Sequence, residues 1–199
     1  MKQKILVVVD VQNDSCHPMG FFPKRYSYGP RIEPIVDNIE RAIDYWRSQN
    51  LPVVYTQYVW DRLSPKKQQQ FSQRGLAEFY KEGEWGADFY RIRPEEGEMV
   101  FRKGTYSVFG SPEFREYIET VNPSNGLVLI GFFSDVCINA TTQDAWELDI
   151  PTEIIADCST NKTPERPHES QLRYMERFYG THVHRNIGEP KNVIEKQLR

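Results

Sequence analysis

The sequence predicts an α/β fold, a doubly wound and mostly parallel sheet with helices on both faces in three layers, spanning residues 1–199 as a single domain. Three observations predict it. Ile5–Val9 and Leu127-Val128-Leu129-Ile130-Gly131 are unbroken aliphatic runs, the signature of strands buried on both faces of a parallel sheet. Strand-like and helix-like segments alternate along the chain, which is the pattern of βαβ units. Asp10, Lys103 and Cys137 each follow an expected strand, and such folds place their chemistry at the carboxyl ends of strands.

Taken in order, Ile5–Val9 is the first strand and Asp10 stands at its end. From Ile32, the residues Ile35, Val36, Ile39, Ile43 and Trp46 recur at helical spacing with charges between them, and Asn50-Leu51-Pro52 closes the segment. Pro52–Thr56 is the second strand. The polar stretch from Asp61 to Gly86, with Lys66-Lys67-Gln68-Gln69-Gln70, reads as a surface excursion with helical pieces, long enough to act as a lid or substrate loop. Met99-Val100-Phe101 is a short strand leading to Lys103, Ser111–Thr120 a helix, and Leu127–Gly131 the next strand, followed by a helix beginning near Cys137. Pro151–Ala156 supplies a further strand and Asp157–Pro167 a loop. His168–Tyr179 is a helix with Leu172, Met175 and Phe178 facing inward.

A chain of 199 residues buries roughly two-thirds to 70% of its unfolded surface and needs no disulfide support. Twenty-five Lys and Arg against 28 Asp and Glu give a net charge of −3, too small in either sense to predict a nucleic-acid or membrane partner. A small-molecule substrate is the expectation. The opening run is too short for a spanning helix or a signal peptide, so a cytoplasmic location is expected. Cys16, Cys137 and Cys158 cannot all pair, and none lies in a CxxC arrangement.

Each of the three strand-end residues also has an ordinary reading. An Asp can cap a turn, a Lys is usually a solvated charge, and a Cys is more often core than nucleophile. Cys137 differs through its context. It lies between Gly131-Phe132-Phe133-Ser134-Asp135-Val136 and a helix-like run, where helix-terminal amides would favour a thiolate and lower its pKa.

These residues carry a family resemblance. Val8-Val9-Asp10-Val11-Gln12-Asn13-Asp14, Phe101-Arg102-Lys103-Gly104-Thr105-Tyr106-Ser107-Val108-Phe109, and Gly131 to Cys137 with Ala140–Ala145 resemble, in order, three motifs of the isochorismatase-like cysteine hydrolases. The likeness is nearest the N-carbamoylsarcosine amidase-like members. It implies a metal-independent amidohydrolase that cleaves a C–N bond of a small amide or N-carbamoyl (ureido) substrate through a thioester. Asp10, Lys103 and Cys137 would be catalytic, and the amides of Phe133 and Cys137 would form the oxyanion hole, with a cis peptide joining Phe132 to Phe133. A homo-oligomer is expected on the same ground. Gln12, Trp60, Tyr106, Phe133 and Phe21 are the candidate substrate-binding residues, the four aromatic ones with ordinary core packing as their alternative.

No metal or other cofactor is expected. After the second strand the chain reads Tyr55-Thr56-Gln57-Tyr58-Val59-Trp60-Asp61, without the histidines that metal-binding relatives carry there, and His182-x-His184 alone is a weak ligand pair. Arg25, Arg62 and Arg166 are candidate carboxylate clamps, each otherwise a surface residue. Two alternatives within the family are a vinyl ether hydrolase, which does not need the cysteine, and a non-catalytic binding member. A phosphoryl-transfer enzyme with Asp10 as nucleophile is disfavoured because Gln12 replaces the second acid and no glycine-rich phosphate loop follows the first strand.

Overall fold

In a computed structural model, described here for residues 4–26, 31–76, 79–121, 123, 126–162 and 167–188, the two aliphatic runs lie side by side. Strand β1 (Ile5–Val9) pairs in parallel with β4 (Leu127–Phe132) on one side and β2 (Val53–Tyr58) on the other. Strands β3 (Met99–Lys103), β5 (Thr152–Thr160) and β6 (His182–His184) complete a six-stranded sheet in the order β3-β2-β1-β4-β5-β6, with every named pair parallel. The strand order reverses between β1 and β4. At such a switch point the connections leave toward opposite faces and open a crevice beyond the strand ends.

The alternation of β1 divides the core. Leu6 and Val8 join Val36, Ile39, Ile43 and Trp46 of helix α3 (Ile32–Ser48), the longest described helix; two shorter ones, α1 (Asn13–Cys16) and α2 (Phe21–Tyr26), precede it. Ile5, Val7 and Val9 face the opposite way. They meet Phe114 and Ile118 of α5 (Pro112–Val121), Ile138 and Ala145 of α6 (Cys137–Glu147), and Leu172 and Met175 of α7 (His168–Tyr179). These layers confirm the predicted three-layer α/β class. The remaining helix, α4 (Pro65–Gln73), begins where Ser64 accepts the Lys67 amide and Pro65 sets the first turn.

Several expectations need correction. Strand β5 continues to Thr160 rather than ending at Ala156: a register shift opposite Leu129/Gly131 absorbs the extra residues, and Cys158 to Thr160 are buried. Phe178 does not face inward; it is 54% exposed and packs against Tyr174 on the surface. The Asp61–Gly86 stretch is only partly a surface excursion. Helix α4 has no buried residue, but Phe79 and Tyr80 are buried. His182 and His184 lie on β6 with ring centroids 4.5 Å apart; His184 is buried against Glu153. Met1–Gln3, Arg166 and the middle of the Asp157–Pro167 loop lie outside the described residues.

Candidate active site

Asp10 takes a left-handed backbone conformation (φ 52°) just past β1, one that Asp tolerates better than most side chains. Both of its carboxylate oxygens accept a hydrogen bond. Thr56 on the neighbouring strand donates to Oδ1 at 2.8 Å, and Lys103 Nζ, from the end of β3, donates to Oδ2 at 2.7 Å. The side chains of this pair are 0% (Lys103) and 3% (Asp10) exposed. Lys103 Nζ also donates to the carbonyls of Thr105 and Tyr106, both at 3.1 Å, so each of its three protons has an acceptor. Burial disfavours the Lys103 ammonium, but the Asp10 and Cys137 side chains outweigh it and raise its pKa above the ordinary value.

Cys137 opens helix α6 and is buried beside this pair. The expected lowering of its pKa by the helix terminus is not the net result. Burial pushes the thiol well up; the Lys103 cation opposes this, while the Asp10 charge and a hydrogen bond to its carboxylate reinforce it. The resting group is therefore a thiol already aimed at a carboxylate. The turn before it carries a cis peptide between Phe132 and Phe133, and the Phe133 carbonyl accepts the amides of Val136 and Ile138 at 3.0 and 3.1 Å. Gly131 (φ 109°) sits directly beneath. A Cβ at that position would lie 2.2 Å from the Val9 carbonyl oxygen, so only glycine lets β4 approach β1 here.

Ser134, two residues past the cis bond, pairs with His168 Nδ1 at 2.8 Å, while His168 Nε2 lies 3.1 Å from the Ala156 carbonyl. A carbonyl only accepts, so Nε2 carries the proton and Nδ1 accepts from the Ser134 hydroxyl. Burial lowers the His168 pKa, which agrees with this neutral tautomer.

Asp10 and Cys137 share a narrow cleft in which the centre of a water molecule has about 40 Å³ to occupy. Tyr106 and Phe133 line it. Gln12, Trp60 and Phe21 do not. The Gln12 amide is spent on backbone, donating to the Tyr58 and Ala87 carbonyls at 3.0 and 2.8 Å and accepting the Tyr58 amide at 2.9 Å. Trp60 stands behind Phe79, with centroids 5.1 Å apart, and Phe21 packs beside Phe22, which reaches the cleft in its place. The sequence reading missed Phe22, Phe71, Phe79 and Lys162 as lining residues. Arg25 and Arg62 lie outside the cleft, and Arg62 pairs with Glu113 at 3.3 Å.

The donor set does not fit a metal ion. Among the described residues no three His, Cys, Asp or Glu side chains gather as a ligand group. Asp61, after β2, accepts the Glu82 amide at 2.8 Å, and His168 and His184 are held elsewhere by Ser134 and Glu153. No described helix is long and apolar enough to cross a membrane.

The chain is 25% identical over 191 residues to the ureidoacrylate amidohydrolase of Methylobacterium radiotolerans, covering 88% of this chain and 74% of that protein. Its fold is similar to that of N-carbamoylsarcosine amidase from Thermoplasma acidophilum, with TM-score 0.76 and 26% identity over 92% of this chain and 96% of that one. It also matches an isochorismatase family protein from Desulfovibrio vulgaris with TM-score 0.81 at 20% identity, covering 98% and 100% of the two chains. The isochorismatase domain model matches residues 4–185, and the chain belongs to the isochorismatase family of hydrolases.

Proposed function

We propose that the protein is a metal-independent cysteine amidohydrolase that cleaves a C–N bond of a small amide or N-carbamoyl substrate through a thioester. The observation that carries this reading is the Asp10–Lys103 pair, joined at 2.7 Å and buried beside the protonated Cys137 in one cleft. A thiol held neutral by burial needs a base within hydrogen-bond reach, and Asp10 is that base.

Asp10 takes the thiol proton as Sγ attacks the substrate carbonyl carbon. The amides of Cys137 and Phe133 receive the developing oxyanion. Protonated Asp10 then gives its proton to the departing nitrogen, so ammonia or an amine leaves and a thioester remains. Asp10, again a carboxylate, accepts a proton from water as its oxygen attacks the thioester, and then returns the proton to the departing sulfur. Lys103 stays cationic throughout. Its charge stands against the Asp10 carboxylate and favours the thiolate as it forms. Tyr106 and Phe133 form walls against which the acyl portion lies. The working form is taken to be a cytoplasmic homo-oligomer, which sedimentation equilibrium checks.

An ammonia-release screen over carbamoyl amino acids, ureidoacrylate-like acids, nicotinamide and simple aromatic amides tests the reading, run with wild type and Cys137→Ala. Turnover confined to wild type, with a substrate-derived acyl adduct on Cys137 by mass spectrometry, is the expected result. Activity that persists in the variant, or faster iodoacetamide labelling of Cys16 or Cys158, would sink it.

A further inference from the structure

The loop after β5 delivers to the cleft a side chain that the chemistry above does not use. The Thr160 carbonyl accepts the Ser134 amide at 2.9 Å, and two residues on, the Lys162 amide donates to Asp135 Oδ1 at 2.8 Å. The loop is thereby bolted to the nucleophile's own turn. From there the Lys162 side chain enters the cleft that holds Asp10 and Cys137, with its ammonium 3.6 Å from the centroid of Phe22 and 5.9 Å from that of Phe133.

The charges in this cleft do not balance. Asp10 and Lys103 neutralise one another and Cys137 rests as a thiol, which leaves Lys162 as the excess. Among the described residues Lys162 forms no ion pair. The charged or titratable groups around it are Cys137, Asp135 and Tyr26, whose ring centroid is 5.6 Å away. Burial lowers its pKa to about 8, with Cys137 and Asp135 pulling more weakly the other way. A lysine on a surface loop normally extends its stem along the protein and keeps its head in water. Here the head is turned inward onto aromatic rings, where cation–π attraction only partly offsets lost hydration. A bound anion would complete the compensation.

We propose that Lys162 determines specificity by holding a carboxylate of the substrate, so that the cleft takes acidic ureido or amide compounds in preference to neutral ones. This rests on the hydrolase reading for the word substrate. The anion-binding role itself can be read without turnover. The substrate's carboxylate would meet the ammonium while its flat portion lies against Phe22 and Phe133, with the scissile carbonyl at Cys137.

The test alkylates Cys137 with iodoacetate and iodoacetamide, nearly isosteric reagents that differ by one negative charge. Thiol ionisation cancels in the ratio of their rates. At pH 7 the acetate-to-acetamide ratio at Cys137 should exceed that of free glutathione by about tenfold, the size of one charge-assisted contact in a partly dry site. Lys162→Met should bring it within about twofold of glutathione, Lys162→Arg should retain it, and in wild type it should decline as pH rises through about 8. On an N-carbamoyl amino acid, Lys162→Met should raise KM so that kcat/KM falls by tens of fold, while the methyl ester changes less than about threefold. A wild-type ratio no higher than glutathione's, or a ratio unchanged in Lys162→Met, overturns the proposal. An intact anion preference without turnover of any amide or carbamoyl compound supports the anion site and rejects the hydrolase reading, so the two failures are distinguishable.

Discussion

Two lysine–carboxylate pairs lie at opposite ends of the same sheet, one fully buried and one half-buried, and only the first faces the cleft. At the carboxyl end, Asp10 is held by Lys103 and Thr56; at the amino end, Glu153 is held by Lys4 at 2.5 Å and by His184 at 2.7 Å. Both carboxylates use both oxygens. Burial raises the Glu153 pKa, yet its bonds to His184 and Lys4 outweigh this and leave it below the usual carboxylate range. What separates the two is the third neighbour. Asp10 has a thiol and open space beside it, whereas Glu153 has only the partners that satisfy it. A buried charge pair alone therefore marks strain that has been compensated, and becomes a reactive centre only when a group able to exchange a proton adjoins it.

Breaking each pair should expose this difference. Cys137→Ala should lower kcat by at least about 10⁴-fold, and Asp10→Asn, which keeps the shape while removing the base, by about 10²–10⁴-fold. Steady-state and single-turnover kinetics check both. Lys103→Met should additionally destabilise the fold by about 3–5 kcal/mol, because it leaves Asp10 buried without its counter-charge.

Glu153→Gln should reverse that pattern. Urea denaturation should show a loss of a few kcal/mol, less than for Lys103→Met because this pair is more exposed, with kcat/KM per folded molecule unchanged within about twofold. Its pH dependence has a defined sign. The folded-state pKa of Glu153 is depressed, so its stabilisation is present above the unfolded carboxylate value and is lost as pH falls through the folded one. Wild-type stability should fall over that acidic window more steeply than that of Glu153→Gln. Parallel curves would show that Glu153 contributes no linkage.

The smallest effect concerns the walls. Tyr106→Ala and Phe79→Ala, in the cleft, should alter the ratio of kcat/KM between a compact and a bulkier substrate by about tenfold. Trp60→Ala, one layer behind, should reduce both alike. A selective effect from Trp60 would move the cleft boundary outward by one ring.

The grouping of Asp10, Lys103 and Cys137 was legible in sequence because β1 and β4 are aliphatic runs that are hard to mistake, and the fold does the rest by placing the strand ends together. The wall was not. Phe71 and Phe79 lie in or near a stretch whose glutamines and lysines give it a surface composition, and no periodicity shows that its aromatic residues turn back over the sheet. Lys162 was hidden for a related reason. Ser159-Thr160-Asn161-Lys162 reads as loop, yet the register shift carries β5 through Thr160 and delivers the lysine to the cleft. Gln12 erred in the other direction: its motif position drew attention, but its amide serves the backbone of Tyr58 and Ala87. Phe178 had helical spacing in its favour, and spacing cannot say where a helix's inner face ends.

The glycine under the nucleophile turn bears on how this scaffold could change its diet. With 2.2 Å between the Val9 oxygen and where a Cβ would stand, position 131 admits no variation without parting the two central strands that carry Asp10 and Cys137. Phe71, Phe79 and Tyr106 come from segments outside those strands and meet the cleft only through their rings. A library that diversifies the rings and leaves Gly131 fixed should yield folded enzymes with new acyl preferences. One that reaches Gly131 should yield mostly inactive chains. Room for new acyl preferences thus lies in the upholstery, while the frame that sets the Asp10 carboxylate beside the Cys137 sulfur is fixed by a single missing methyl group.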